Sequence, residues 1–382
     1  MTVIDLTNGR NPVGPKVGMF TRFPPSKSGS APSASILAEH LNSRFGIPVE
    51  VIRLVMPGES SAEGHPVIMD LNPRWHMSAQ FAAQRANRCD VALIQIDCHI
   101  SLGLMESFIA ELTVPVVLSV DDVVGSADAS ALARLAEKVA VIVVPSEVGR
   151  RRLEAAALPA ARIEVIPHGS SLQAMEPRPL PRRQIITWGF MEPGMGAERV
   201  VRALPLLDDL DPPPRYRLIG VADPFWTRSE ASSYRSSLSA EAVRLGVADQ
   251  IEFVPMLHSR AKLASEIEQS DLIVVAYDAT ERACSRILTE AVSTGRPVVA
   301  TAFPGAIEML ASGAGTTVAH DSVEDMAGAI RMYLTDDDEY RKAARLATAL
   351  SPGLGWDETA RKFAKMILDV VDSSELVNET RL

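Results

Sequence analysis

The chain has 382 residues, of which 47% are hydrophobic and 23% charged, so it is long enough for two α/β domains of ordinary globular composition. Its net charge of −10 argues against a nucleic-acid-binding protein, because phosphate contacts need a basic surface. The three cysteines have no paired spacing, which excludes a disulfide framework and a C-x-x-C zinc site and indicates a reducing compartment.

The N-terminal segment MTVIDLTNGRNPVG is polar and lacks the apolar core of a signal peptide. No apolar run reaches the roughly 18 residues that a membrane-spanning helix needs. We therefore expect a cytoplasmic protein.

Short apolar runs rich in β-branched residues alternate with amphipathic segments in the first half of the chain. This alternation predicts a parallel sheet with helices on both faces. The predicted strands are KVGMFTRF, VEVIRLV, DVALIQI, PVVLSV, AVIVVPS and IEVIPHG, and the predicted helices are SASILAEHLNSRFG, MESFIAELT and ALARLAEKV.

A proline-rich stretch, MEPRPLPRR, interrupts the alternation and is typical of an interdomain linker. The pattern then resumes, which predicts two Rossmann-like domains at residues 1–178 and 182–350. A strongly amphipathic tail predicts a helix within 356–382, with Trp356 anchoring its start and Asp357 as its cap. The strands predicted in the second half are QIITWGF, RYRLIGV, IEFVPM, DLIVVAY, RPVVATA and GTTVAH.

The segment from 281 to 310 is the most informative part of the chain. A predicted strand, DLIVVAYD, leads into a loop of small residues and then a helix that starts near Ser285. Ligands of doubly wound domains bind beyond the carboxyl ends of the strands, so the amides of Ser285 and Arg286 are candidates for binding a diphosphate. Glu290, about one and a half turns further on, is placed to accept both hydroxyls of a ribose. The alternative is that Glu290 is a solvated helix residue.

Several motifs together resemble the family-4 glycosyltransferases, and most closely an actinobacterial-type branch of that family. They are FPPSKSG, VIPHGSS, TWGFMEPGMGAERVVRAL, the glutamate region with its Gly-Arg-Pro-Val-Val turn, and TAFPGAIEML, so the resemblance covers nearly the whole chain. It implies a GT-B fold, in which two Rossmann-like domains enclose a cleft and a C-terminal helix crosses back to the first domain. It also implies retaining transfer of a sugar from a nucleotide-diphosphate donor, with no metal and no cofactor beyond that donor.

The chain departs from the family pattern at the glycine loop of the second domain. Met195, between Gly194 and Gly196, occupies the position of a lysine that pairs with the donor phosphates, and the preceding arginine is absent from TWGFM. A cation about 4 Å from a phosphate charge contributes up to about 4 kcal/mol at an effective dielectric of about 20. Arg282 and Arg286 are candidate substitutes, with surface ion pairing as the alternative interpretation.

The resemblance also places a first glutamate, which contacts the sugar, eight residues before the second. Arg282 stands at that position, and Glu281 lies nine residues before Glu290. Glu281 is therefore a candidate sugar ligand only if the loop changes its register.

In the first domain, Ser28, Gly29 and Ser30 are expected on the acceptor side, because glycine permits close backbone approach. A plain strand-to-helix turn is the alternative interpretation.

The family's histidines beside the reacting centre are replaced by Ile96 and Asp121. His99 either projects into the cleft in place of the missing histidine or is a structural residue. The strand ends also carry an acidic set, Asp97, Asp121 and Asp122.

Two weaker signals remain. Met256, Leu257 and His258 follow a strand where the resemblance places backbone recognition of the base.

The three arginines at 150–152 start a helix. They either contact an anionic membrane surface peripherally or, as we favour, form a solvated helix face paired with Glu147 and Glu154.

The main hypothesis is thus a retaining glycosyltransferase that transfers a hexose from a nucleotide sugar to an unidentified acceptor. One alternative is a catalytically reduced relative that binds a ligand or partner without transfer. A nucleotide-sugar epimerase is a third, which TAFPGAIEML and the C-terminal helix disfavour. The sequence leaves open the base, the sugar, the acceptor and the oligomeric state.

Overall fold

The structure is a computed structural model, and two compact units divide the chain. The first unit comprises Met1–Pro167 together with Trp356–Leu382, and the second comprises His168–Gly355. The residues that the structure describes are 14–26, 28–55, 59, 64, 66–71, 76–96, 102–121, 132, 135–136, 138–156, 162–221, 228–255 and 260–379.

The first unit contains a seven-stranded parallel sheet in the order β3-β2-β1-β4-β5-β6-β7. Its strands are β1 (Val17–Thr21), β2 (Val49–Leu54), β3 (Val67–Leu71), β4 (Val91–Ile96), β5 (Val116–Val120), β6 (Val141–Val144) and β7 (Arg162–Val165). Its helices include α1 (Ala31–Phe45), α2 (His76–Ala86), α3 (Leu102–Ala110) and α4 (Glu147–Ala155). The strand order reverses between β1 and β4, and this point is the topological switch of the sheet.

Apolar side chains cover both faces of this sheet, as expected for buried parallel strands. Along β1, Met19 belongs to one apolar cluster and Phe20 to the other. Phe20 stacks on Phe108 of α3 with 4.7 Å between the ring centroids. The strand therefore alternates its side chains between two cores.

The C-terminal helix of the chain packs against the first unit. This helix begins at Trp356, which is buried in the same apolar cluster as Leu37 and Leu41 of α1. The carboxylate of Asp357, in the first turn, lies 3.3 Å from His40 and 3.1 Å from Arg44. Apolar burial and these polar contacts join the last segment of the chain to the first helix.

The second unit contains a six-stranded parallel sheet in the order β10-β9-β8-β11-β12-β13. Its strands are β8 (Gln184–Phe190), β9 (Arg215–Val221), β10 (Ile251–Pro255), β11 (Leu272–Val275), β12 (Val298–Thr301) and β13 (Gly315–Val318). Its helices are α5 (Ala197–Ala203), α6 (Arg228–Arg244), α7 (Arg260–Glu268), α8 (Arg286–Ser293), α9 (Pro304–Leu310), α10 (Val323–Thr335) and α11 (Asp337–Leu354), and the C-terminal helix of the first unit is α12 (Trp356–Glu379). The topological switch of this sheet lies between β8 and β11.

Each strand predicted from the sequence appears in one of the two sheets. In the first unit, the structure adds two elements that the sequence analysis did not assign, β3 and α2. In β3 only the two end residues are buried, so its apolar pattern is weak. Of the predicted helix at 131–139, only part lies within the described residues.

The boundary between the units differs from the predicted linker. It lies between Pro167 and His168, and the proline-rich segment is a packed part of the second unit. Arg178 contacts Asp271 at 3.3 Å, and the buried Arg182 contacts Asp337 at 2.5 Å. The guanidinium of Arg182 also lies 3.5 Å from the ring centroid of Tyr340. These contacts fix a segment whose composition alone is typical of a linker.

Within the described ranges, no helix is both long enough and apolar enough to cross a bilayer.

Two ion pairs of equal geometry in the first unit differ in burial. Arg53 donates two 2.7 Å hydrogen bonds to Asp70, and Arg361 donates two 2.7 Å hydrogen bonds to Glu358. The side chain of Arg53 is 0% exposed, whereas that of Arg361 is 51% exposed.

We expect Asp70→Asn to lower the free energy of unfolding by about 2–3 kcal/mol, because it removes the counter-charge of a buried guanidinium. The matched variant Glu358→Gln should cost less than about 1 kcal/mol, because water solvates the exposed arginine. Urea unfolding followed by circular dichroism measures both. Equal losses would show that burial does not determine the contribution of these pairs.

Candidate functional site

Two loops meet at the topological switch of the second unit. The chain leaves β8 towards β9 on one side and leaves β11 towards β12 on the other, so the loops after β8 and β11 diverge from neighbouring strand ends. The amide of Asp278 donates a 3.0 Å hydrogen bond to the carbonyl of Gly194, which joins the loops. Open parallel sheets bind ligands at this kind of position.

The glycine loop after β8 depends on a close backbone approach. Gly194 and Gly196 have φ values of 95° and 75°, which favour glycine. A Cβ on Gly196 would lie 1.6 Å from the carbonyl oxygen of Ala276, whereas one on Gly194 would meet nothing within 4 Å. Arg199 of α5 reinforces the junction, since it pairs with Asp278 and donates a 2.5 Å hydrogen bond to the carbonyl of His320.

The side chain of Met195 does not line this loop. It is only 5% exposed and packs in the main apolar cluster of the second unit, with Met191 and Ala276 among its members. An unbranched thioether is a suitable core residue. In the family that the chain resembles, this position carries a phosphate-binding lysine. Here Met195 contributes an apolar side chain to the core and no charge to the loop.

The N-terminus of α8 follows the loop after β11. Ser285 is buried and caps the helix, because its hydroxyl accepts a 3.1 Å hydrogen bond from the amide of Leu288. The amides of Arg286 and Ile287 belong to the first helical turn, whose N–H groups have no intrahelical acceptor. Together with the helix dipole, this end of α8 favours an anion.

The loop before α8 carries the two charged candidates. Arg282 lies over the ring of Tyr277 at 4.5 Å from its centroid, and its carbonyl accepts a 3.1 Å hydrogen bond from the amide of Gly305. Burial raises the pKa of Tyr277, although the nearby guanidinium of Arg282 acts in the opposite direction. The tyrosine is therefore a neutral platform for Arg282 at neutral pH. Glu281 is exposed at the outer end of the same loop.

Glu290 is half-buried one turn into α8, and a tryptophan contacts its carboxylate. The indole Nε1 of Trp188, near the end of β8, donates a 3.3 Å hydrogen bond to Oε2 of Glu290. Trp188 is only 3% exposed. The sequence analysis assigned no role to this residue, although an indole directly before the loop glycines was a visible signal.

The segment after the unit boundary also packs against α8. The hydroxyls of Ser170 and Ser293 lie 2.6 Å apart, and Cys284 Sγ lies 3.5 Å from His168 Nε2. The second part of the motif VIPHGSS, from His168 onwards, thus packs against the candidate site within the second unit. Sequence separation of more than 100 residues concealed this contact.

In the first unit, the loop after β1 lies at the topological switch of that sheet. Ser28 is buried and its hydroxyl accepts a 3.3 Å hydrogen bond from the amide of Ala31, so it supports the start of α1. Ser30 Oγ lies 3.2 Å from Ser28 Oγ, and Gly29 is exposed. Of these three residues, the one that is exposed is Gly29, so the segment 28–30 presents mainly backbone to solvent.

A buried arginine supports this loop. Arg22, which is 1% exposed, donates hydrogen bonds to the hydroxyl of Ser26 and to the carboxylate of Glu59, both at 3.1 Å from Nη2. The sequence analysis missed this network, because the ion-pair partner lies 37 residues away.

The remaining predicted positions are less informative. Asp121 follows β5, and its amide donates a 3.2 Å hydrogen bond to the carbonyl of the buried Ile96 at the end of β4. Nε of Arg150 lies 3.5 Å from the carboxylate of Glu147, which is the favoured helix-face pairing. The predicted residues that lie outside the described part of the chain are Asp97, His99, Asp122, Met256, Leu257 and His258.

Among the side chains that the structure describes, no group of three or more His, Cys, Asp or Glu is arranged to hold a metal ion.

Comparison with known proteins relates the second unit to one protein family. Residues 172–349 match the family model described as Glycosyl transferases group 1. A curated relative from Corynebacterium glutamicum (strain R), named D-inositol 3-phosphate glycosyltransferase, is 24% identical over 203 residues. That match covers 53% of this chain and 47% of the relative, about half of its length.

Solved structures resemble the whole chain. HepE from Anabaena in complex with UDP is 16% identical, with a TM-score of 0.71 over 92% of this chain and 99% of that one. Sucrose-phosphate synthase from Thermosynechococcus elongatus is 15% identical, with a TM-score of 0.74 over 94% of this chain and 100% of that one. The predicted fold class is confirmed: the chain has two Rossmann-like α/β units of the GT-B fold.

The two loop glycines provide a matched test of the junction. We expect Gly196→Ala to lower the free energy of unfolding by more than 3 kcal/mol, roughly the upper range for local backbone strain, because Cβ would overlap the carbonyl of Ala276. Gly194→Ala should cost only about 1–2 kcal/mol, because it adds left-handed strain without a clash. Denaturant unfolding compares them, and equal costs would contradict the close approach.

Proposed function

We propose that the protein is a retaining glycosyltransferase that moves a sugar from a nucleoside-diphosphate donor to an acceptor hydroxyl. The observation that carries this proposal is the half-buried carboxylate of Glu290, held by Trp188 on the helix whose capped N-terminus lies at the topological switch of the second unit. The same short helix thus carries both the carboxylate proposed to bind the ribose and the N-terminus proposed to bind the diphosphate.

The donor nucleotide is proposed to lie along α8. Glu290 is four residues after Arg286, a rise of about 6 Å along a helix. That rise is of the order of the separation between the ribose hydroxyls and the phosphates of a nucleoside diphosphate. Glu290 would accept hydrogen bonds from both hydroxyls, while the diphosphate would meet the first-turn amides of α8.

The charge of the diphosphate is proposed to be balanced by Arg282 and Arg286. Met195 is buried in the core, so it offers no charge to the phosphates. The two arginines flank the helix N-terminus, and Tyr277 orients the first of them. A guanidinium binds phosphate oxygens in a planar, bidentate manner, which makes arginine a suitable substitute for lysine.

Catalysis in this proposal rests on positioning and on stabilisation of the leaving diphosphate. The arginines and the helix end would stabilise the negative charge that develops when the bond from the sugar to the phosphate breaks. Glu281 is proposed to contact the sugar, with Ser28, Gly29 and Ser30 on the acceptor side and Asp121 and His99 near the reacting centre. The donor's own phosphate would accept the acceptor's proton, and the anomeric configuration would be retained.

A binding panel followed by a turnover assay tests the proposal. Calorimetry with UDP, GDP, ADP and their common sugars identifies the base, and the similar HepE structure with UDP makes UDP the first probe. Turnover is then measured as acceptor-dependent release of the nucleoside diphosphate. D-inositol 3-phosphate belongs among the acceptors, because a relative's name specifies it. Retention is checked by NMR of the product's anomeric proton.

A second candidate function is nucleotide-sugar binding without transfer. The apolar, buried Met195 favours it, because the loop lacks the cation that the resembling family uses. Selective nucleotide binding without turnover against a broad acceptor panel would support this second function. Absence of binding at millimolar nucleotide would contradict both functions.

Glu290→Gln tests the proposed ribose ligand. We expect affinity for UDP to fall at least tenfold, or about 1.4 kcal/mol, because a neutral amide is a weaker acceptor for the ribose hydroxyls. The control is Glu339→Gln on the exposed face of α11, which should bind UDP as the wild type does. Unchanged affinity in Glu290→Gln would remove the ribose from this position.

Arg286→Met tests the proposed phosphate contact. We expect affinity for UDP to fall about tenfold, or about 1.4 kcal/mol, while the much weaker affinity for uridine stays the same. Arg345→Met on α11 serves as a charge-matched control. Titration at two salt concentrations should show a smaller salt dependence for UDP binding in Arg286→Met. A parallel loss for UDP and uridine would indicate structural damage instead of a lost phosphate contact.

A further inference from the structure

We infer that Trp188 is a positioning residue that orients the carboxylate of Glu290 towards the ribose hydroxyls, an inference that rests on the proposed function. The indole Nε1 donates its hydrogen bond to Oε2 of Glu290 at 3.3 Å. This bond joins the end of β8 to α8, elements that lie 102 residues apart in the sequence. It occurs at the switch between β8 and β11, where the ligand is proposed to bind.

The apolar core surrounds the indole ring of Trp188, which donates this hydrogen bond. Trp188 is 3% exposed and packs in the same cluster as Leu288 and Ala291 of α8. A buried indole has a single polar atom, and that N–H normally finds an acceptor. The helix that carries Glu290 thus also helps to fix the tryptophan that contacts it.

The neighbouring residue of the strand packs against a side chain from the first turn of α8. Gly189 has a φ of 132°, and a Cβ there would lie 2.6 Å from Cδ1 of Ile287. The absence of a side chain at Gly189 therefore leaves room for the side chain of Ile287.

The bond has a consequence for recognition. A carboxylate near a diphosphate is repelled by it, and a rotatable glutamate could turn towards solvent. A hydrogen bond to Oε2 restricts the rotation of the carboxylate. The carboxylate would then keep its orientation towards the ribose hydroxyls. Trp188 would act on the ribose through Glu290 without touching the nucleotide itself.

The test uses a pair of nucleotides that differ only in the groups that Glu290 recognises. The variants are Trp188→Phe and Glu290→Gln, and each is titrated with UDP and with 2′,3′-dideoxy-UDP, or with the guanosine pair if the base panel selects GDP. The measured quantity is the ratio of the two affinities. A general weakening of the fold lowers both affinities together and leaves the ratio unchanged.

A matched tryptophan controls for the loss of ring volume. Trp356 is 8% exposed in the first unit, and its Nε1 has no hydrogen-bond partner among the described residues. Trp356→Phe therefore removes a buried indole without removing a hydrogen bond.

We expect Trp188→Phe to reduce the affinity ratio about three- to tenfold, a change that corresponds to at most about 1.4 kcal/mol. Glu290→Gln should reduce the ratio at least as much, and Trp356→Phe should preserve it. A preserved ratio in Trp188→Phe beside a reduced ratio in Glu290→Gln would overturn the role of Trp188 and leave the donor site intact. A preserved ratio in Glu290→Gln would overturn the proposed donor site itself.

Discussion

The close approach of Gly196 to the carbonyl of Ala276 is the constraint on which the second unit's site depends. It brings the loop after β8 against the loop after β11, and the hydrogen bond from Asp278 to Gly194 and the pairing of Arg199 with Asp278 maintain that junction. Because these loops follow adjacent strands that lead in opposite directions, their junction lies where open parallel sheets bind ligands. The N-terminus of α8 lies directly beyond it.

The same junction explains how the site differs from the family that the chain resembles. The loop glycines keep their backbone geometry, while the side chain between them is buried in the core. The backbone of the phosphate loop and its charge are therefore separable features. Under the proposed function, the charge has moved to the opposite loop, where Arg282 stacks on Tyr277 and Arg286 begins α8. Such a change preserves the fold and alters the direction from which the diphosphate is held.

Buried polar contacts recur wherever a functional loop is held in place. Arg22 supports the loop after β1 through Ser26 and Glu59, and Trp188 reaches Glu290 from the end of β8. Ser170 and Ser293 join the start of the second unit to α8. In each case at least one partner is distant in sequence, and burial gives the polar group no alternative in water. The loops are therefore positioned by residues that would not themselves touch a substrate.

The sequence by itself determined the two parallel sheets, all of their strands except β3, a helix that starts near Ser285 and the position of Glu290 within that helix, because hydrophobic periodicity and helix-start signals are local. Only the tertiary structure decided that Met195 is buried, that Ser28 supports α1 and that the proline-rich segment belongs to the second unit, where Arg182 contacts Asp337 and Tyr340. The contact of Trp188 with Glu290 is of the same kind. Side-chain direction and long-range pairing depend on how strands and helices pack, and a local pattern carries no record of that packing.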